Sequence, residues 1–173
     1  MSTQASGGLS GRVAVITGAS AGIGRACAME MARNGASVVI NARRQERLEE
    51  LVRQIANSGG RATAVAGDAT DTGVIDTMLD TAKSEFGREA DLVLVNAGRG
   101  LAGSPLTSDE SEWERMYTLN VVGASRLIRA AGQRMRDDAE HSKDWPKRAR
   151  DILVIGSSVG KNISPFSSMY GGS

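Results

Sequence analysis

The segment Val13-Ala14-Val15-Ile16-Thr17-Gly18-Ala19-Ser20-Ala21-Gly22-Ile23-Gly24 joins three signals in one short run. Val13 to Ile16 is an unbroken apolar stretch of strand length. Glycines and small residues follow at once. A helical pattern then runs from Ile23 to about Asn34, with Ile23, Ala26, Cys27, Met31 and Ala32 as its apolar members and Gly35 as its stop. A strand, a tight glycine turn and a helix start, in that order, make a place for an anion. The free N–H groups and partial positive charge of the helix end suit the pyrophosphate of a dinucleotide, which needs donors without bulk. Gly18 permits the turn, Gly22 lets the backbone approach the phosphates, and Gly24 lets the helix pack closely. Ser20 adds a hydroxyl donor, Ala21 and Ile23 complete the cradle, and Thr17 holds the turn.

Outward from this segment the pattern repeats. Strands are expected at Ser37 to Asn41, Ala62 to Ala66, Leu92 to Val95 and Ile152 to Ile155. Helices are expected at Glu46 to Asn57, Val74 to Phe86 and, as one long element, Glu110 to Arg136. Asp137 to Arg150 is polar, carries Pro146 and is expected to be a loop. Its basic run Lys147-Arg148-Ala149-Arg150 is expected to be solvated. Continuous apolar strands alternating with amphipathic helices predict an α/β fold, a doubly wound parallel sheet in three α/β/α layers. Residues 1–10 read as a flexible tail and 11–173 as one domain.

The second strand names the form of the dinucleotide. An acid near its end would bind a ribose 2′-hydroxyl, as NAD requires. Here the chain reads Asn41-Ala42-Arg43-Arg44, and Glu46 lies past the strand end. A guanidinium fork suits a 2′-phosphate, so NADP(H) is the expected cofactor. Arg43 is taken as the main contact, and Arg44 as a second contact or a stack on adenine.

Composition closes off other classes. A net charge of +1 gives no basic excess for nucleic acid. With one cysteine, Cys27, the chain cannot form an internal disulfide, so a reducing, cytoplasmic setting is expected and Cys27 is read as a buried small hydrophobe. The small, polar start Met1 to Gly8 lacks the pattern of a signal peptide, and no apolar run reaches membrane-span length. His141 is the only histidine and has no cluster of ligand residues in sequence, so a surface position and no metal site are expected.

Taken together, these motifs resemble the short-chain dehydrogenase/reductase family, and are similar to its 3-oxoacyl reductase-like members. The opening glycine pattern is that family's cofactor motif. Asp68, in Gly67-Asp68-Ala69-Thr70, resembles the acid that meets adenine, with Ala69 beside it. Asn96-Ala97-Gly98 resembles the motif that lines the cofactor. Asn120, in Leu119-Asn120-Val121, resembles the relay asparagine, and Ser157 and Tyr170 resemble the catalytic serine and tyrosine. Ser157 is preferred over Ser158 because Gly160 and Tyr170 stand three and thirteen residues after it. The resemblance implies a Rossmann-type fold. It also implies a lysine four residues after the tyrosine, at position 174, where this sequence has already ended at Ser173. A longer protein is therefore expected, and these residues alone are expected to show little or no activity.

By the same resemblance Tyr170 is general acid in reduction and general base in oxidation. Ser157 steadies the substrate oxygen, and Asn120 interrupts its helix and relays protons. Tyr170 also borders the cofactor. The implied reaction interconverts a ketone or aldehyde and an alcohol, in a homodimer or homotetramer. A non-catalytic NADP(H)-binding protein, an inactive fragment, and an epimerase or dehydratase on the same frame are the alternatives. The substrate walls are expected from Arg99 to Leu106 and Gly160 to Met169, where Ile163, Pro165, Phe166 and Met169 would give an apolar lining. Such a lining is compatible with 3-oxoacyl thioesters, small ketones, steroids or polyketide intermediates.

Overall fold

The structure is a computed structural model that describes residues 8–143, 147–162 and 167–173. Five strands, β1 (Val13–Thr17), β2 (Ser37–Ala42), β3 (Arg61–Ala66), β4 (Leu92–Val95) and β5 (Asp151–Val154), form one parallel sheet in the order β3-β2-β1-β4-β5. Helices α1 (Gly22–Arg33), α2 (Gln45–Asn57) and α3 (Thr72–Phe86) alternate with the first four strands. Helix α4 (Glu110–Tyr117), a π-helical segment (Thr118–Gly123), helix α5 (Ala124–His141) and the short α6 (Ser168–Gly171) complete the chain. This is the doubly wound three-layer arrangement that the sequence predicts.

Side chains alternate across a strand, so each strand feeds two cores. Val13 and Val15 of β1 join Val39, Val93 and Val95 against Ile75, Met78 and Leu79 of α3 and Leu127, Ala131 and Met135 of α5. Ala14 and Ile16 join Val38, Ile40, Leu92 and Leu94 against Ala28 and Ala32 of α1 and Leu48, Leu51 and Ile55 of α2. Burial on both faces explains why β1, β2 and β4 read as continuous apolar runs.

Several expectations need correction. In α1 the buried positions are Gly24, Ala28 and Ala32, while Ile23 is 58% exposed, Ala26 is exposed and Cys27 is only half-buried. Small residues let α1 lie close to the sheet, which leaves its larger side chains outside. The long helix is divided by the π segment, and α5 extends to His141, so Asp137 to His141 are helical. Within the basic run Lys147 is exposed, but the two arginines are not solvated. Arg148 pairs with Asp91 at 2.6 Å and Arg150 with Asp138 at 2.6 Å, and the two arginine side chains are 12% and 7% exposed. Leu9 packs on the second core and its N–H donates to the Asn34 carbonyl at 3.1 Å, so the ordered chain begins before residue 11. Pro146, Ile163, Pro165 and Phe166 lie outside the described residues. Among those described, no helix is long and apolar enough to cross a membrane.

Candidate active site

The strand order reverses between β1 and β4, because β1 leads outward to β2 on one side while β4 lies on the other. The loops leaving the C-terminal ends of these two strands part there, and such a crevice is where ligands of open α/β sheets bind. Most of the sequence-predicted site residues are carried on loops that leave these strand ends.

The loop after β1 turns at Gly18, whose φ of +69° lies in the left-handed region. It then enters α1 at Ala21, with no side chain capping the helix. Helices α3 and α4 differ: Asp71 accepts from the N–H groups of Gly73 and Val74, and Asp109 from that of Ser111. The α1 end thus keeps its donors unclaimed by any capping side chain. Gly22 has a φ of +56°, and a Cβ there would meet nothing within 4 Å, so its outer face is open. These features fit a bound pyrophosphate.

Besides being one of the small buried residues of α1, Gly24 makes room for Asn96. A Cβ at Gly24 would stand 2.4 Å from Asn96 Nδ2 and 2.6 Å from the Gly18 carbonyl oxygen. Asn96 occupies that space to brace the turn, donating through Nδ2 to the carbonyls of Thr17 at 3.0 Å and Gly18 at 3.3 Å. Thr17 answers from β1, where its Oγ1 accepts from the N–H groups of Asn96 and Ala97, both at 3.1 Å. The loops after β1 and β4 are therefore laced together by named side chains.

At the end of β2, Ala42 is buried while Arg43 and Arg44 are exposed. Arg44 Nη2 donates to Ser20 Oγ at 3.0 Å, which ties Arg44 to the phosphate loop. Asp68, after β3, accepts from the Thr70 N–H at 2.8 Å and the Thr70 hydroxyl at 2.9 Å. The Thr70 N–H first, then its hydroxyl and the charge of Arg43, hold the Asp68 carboxyl below its usual range against a small opposing effect of burial. The π segment closes on this loop. A Cβ on Gly123 would stand 3.0 Å from Thr70 Cγ2 and 3.3 Å from the Ala69 carbonyl, and Arg126 Nη1 donates to the Thr70 carbonyl at 2.7 Å.

Asn120 lies inside the π segment, so the expected local break in the helix is present. Its carboxamide is paired with the main chain of Arg99: Oδ1 accepts from the Arg99 N–H at 3.0 Å, and Nδ2 donates to the Arg99 carbonyl at 2.9 Å. Nδ2 also donates to Ser173 Oγ at 3.0 Å. Ser157 follows β5 and is exposed, its Oγ accepting from the Val159 N–H at 3.3 Å. Tyr170 is half-buried in α6. The 3₁₀ turn after Ser157 packs on α6: a Cβ on Gly171 would stand 3.3 Å from the Val159 carbonyl. A Cβ on Gly100 would stand 3.9 Å from Tyr170 Cε1. Arg99 and Gly100 had been assigned only to a substrate wall. The bonds of Arg99 to Asn120 and the nearness of Gly100 to Tyr170 cross between distant segments and leave no mark in the local pattern. The available signal was their place directly after Asn96-Ala97-Gly98.

A family model described as short chain dehydrogenase matches residues 12–173. The chain belongs to the short chain dehydrogenase family. Hydroxynaphthalene reductase-like protein Arp2 of Metarhizium majus (strain ARSEF 297) is 32% identical over 168 residues, covering 95% of this chain and 58% of that protein. A short chain dehydrogenase/reductase from Burkholderia phymatum, solved in complex with NAD, is 27% identical with a TM-score of 0.85, over 95% of this chain and 55% of the other. A metagenomic short-chain oxidoreductase, solved in complex with NADP, is 34% identical with a TM-score of 0.80, over 94% of this chain and 70% of the other. The chain thus spans little more than half of the first two and about two thirds of the third.

Proposed function

We propose that this chain is the nucleotide-binding part of an NADP(H)-dependent oxidoreductase that interconverts a ketone or aldehyde and an alcohol. One loop supports this reading, Asn96 to Gly100, because it meets each part of the site. Asn96 braces the phosphate turn, Arg99 holds Asn120, and Gly100 borders Tyr170. A cofactor seated on the open face of Gly22 and the uncapped start of α1 would run along this loop toward the tyrosine.

When bound, the nicotinamide would supply or accept the hydride. The remaining work falls to this chain. Tyr170 gives a proton to the substrate oxygen in reduction and takes it back in oxidation. A free phenol is a poor base at neutral pH, so the proton transfer calls for a neighbouring positive charge. Ser157 donates to the substrate oxygen and steadies its developing charge. Asn120, fixed in the π segment, orients the relay that resupplies the proton. Asp68 with Ala69 borders adenine, and Ala97 and Gly98 line the path between.

The preference for NADP(H) is supported by the absence of an acid at Ala42, by Arg44 beside Ser20 and by the exposed Arg43 next to it in sequence. In the structural neighbours, NAD accompanies one protein and NADP another, so the distinction rests on these residues. Exposed Val121, Val122 and Ile128 support pairing of two copies along α4 and α5. The test of the activity is carbonyl-dependent oxidation of NADPH by the full-length protein. Tyr170→Phe is expected to abolish turnover while NADPH affinity stays within about twofold. Turnover that persists in Tyr170→Phe would overturn the acid/base assignment.

A further inference from the structure

The stretch between β4 and α4 contains no helix or strand, yet Arg99 within it is gripped from two sides. Its main chain carries the paired hydrogen bonds to Asn120. Its guanidinium forms an ion pair with Glu112 Oε2 in the first turn of α4. The other oxygen of that carboxylate, Oε1, accepts from Arg115 Nη1 at 2.8 Å. Both carboxylate oxygens are thus engaged, and the Glu112 side chain is 21% exposed against 38% for Arg99.

Geometry gives this pairing a consequence. Helix α4 continues without interruption into the π segment that carries Asn120. Glu112 and Asn120 therefore stand on one rod, about two helical turns or roughly 12 Å apart. Arg99 is tied to that rod twice, by its side chain to Glu112 and by its main chain to Asn120. With only the Asn120 bonds, the Arg99 peptide groups would carry the carboxamide with them whenever the loop moved. With the second tie, the loop cannot swing about the Asn120 contact, and the carboxamide keeps one orientation.

We propose that Glu112 and Arg99 are positioning residues for Asn120, the ion pair fixing the main chain that holds the carboxamide in place. The catalytic part of this inference rests on the proposed oxidoreductase reading; the structural part does not. Two readouts keep them distinct.

The first is amide hydrogen exchange at the Arg99 N–H, followed by NMR in the full-length protein. Glu112→Gln and Arg99→Ala are each expected to speed that exchange about threefold, the scale of a partly exposed ion pair, while amides of β1 are unchanged. Arg99→Lys, which keeps the charge, should restore most of the protection. Asn120→Ala, which removes the acceptor itself, sets the upper limit. The second readout is steady-state kinetics: Glu112→Gln should lower kcat about tenfold and shift the pH profile of kcat, with KM for NADPH within about twofold. If exchange at Arg99 rises in Asn120→Ala but not in Glu112→Gln or Arg99→Ala, the positioning role is overturned. A fall in melting temperature with exchange and pH profile unmoved would likewise reduce the pair to a structural contact. If the wild type reduces no carbonyl compound, the proposed activity fails, while the exchange result still decides whether the ion pair fixes Arg99.

Discussion

At the N-terminal ends of the strands, Asp91 is enclosed by partners; at the C-terminal ends, Gly22 faces open space and α1 begins without a capping side chain. Asp91 is 1% exposed. Its Oδ1 accepts from the Val13 N–H at 2.9 Å, with Arg12 Nε 3.1 Å away, and its Oδ2 accepts from Arg148 Nε at 2.6 Å. Arg12 also donates through Nη2 to the Asp91 carbonyl at 2.7 Å and to Asp151 at 2.8 Å, so one arginine links the starts of β1, β4 and β5. A buried charge is tolerable only when paired and hydrogen-bonded in this way. At the other end the sequence withholds side chains. Glycine stands where a Cβ would collide with Asn96, and backbone donors are left for something not supplied by the chain. One end is closed on itself and serves stability; the other is held open and serves binding.

The sharpest way to break this comparison is to remove the centre of the closed end. Asp91→Ala takes the shared carboxylate from Arg12 and Arg148, which keep Asp151 and Asp138, and leaves the Val13 N–H without its acceptor; it should lower unfolding free energy by about 3 kcal/mol. Asp91→Asn, which keeps the shape, should be milder. Urea denaturation checks both, and NADPH affinity of the folded fraction should be unchanged. At the open end, Gly24→Ala drives a methyl group into Asn96 and the Gly18 carbonyl. Overpacking of this kind costs about 1–3 kcal/mol, expected here as an NADPH affinity about ten to a hundred times weaker, read by fluorescence titration. Arg43→Ala should weaken NADPH about tenfold and leave NADH nearly untouched, with no change in melting temperature because the side chain is exposed. Equal losses for both cofactors would remove the 2′-phosphate assignment.

The smallest effect concerns Asp68. Its carboxyl is held below the ordinary value, so the stability it contributes is present above that value and is lost only as pH falls through the lower, folded one. Since it is an exposed group, the contribution is small. An NMR titration should find Asp68 ionised to a lower pH than a free carboxylate, and Thr70→Ala should raise its midpoint. A midpoint unmoved by Thr70→Ala would show that the turn does not hold the carboxylate.

The open end was legible in the sequence to a degree that the closed end was not. The glycine turn, Asn96 and the arginine pair after Ala42 belong to short motifs whose physics is local, and the strands follow directly from apolar runs. The network at Asp91 joins residues from positions 12, 91, 148 and 151. Arg148 meets Asp91 from 57 positions away, and only Asp138 of its partners lies nearby in sequence, so a basic run read in isolation looks solvated. The break at Asn120 followed from the family resemblance alone and not from any local pattern. Thr118 to Gly123 has ordinary helical residues, and what accompanies its wider turn is tertiary: Asn120 on Arg99, and Gly123 against Ala69 and Thr70. Likewise the exposed face of α1 follows from how closely Gly24, Ala28 and Ala32 let it approach the sheet, which periodicity alone does not report.

The open strand ends are proposed as an NADP(H) site. Calorimetric titration of NADPH and of NADH into the protein tests this most directly. The account predicts that NADPH binds at a single site, more tightly than NADH by at least about tenfold, the scale of a charge-assisted phosphate contact. Binding of NADH as tight as that of NADPH, or binding of neither, would contradict it.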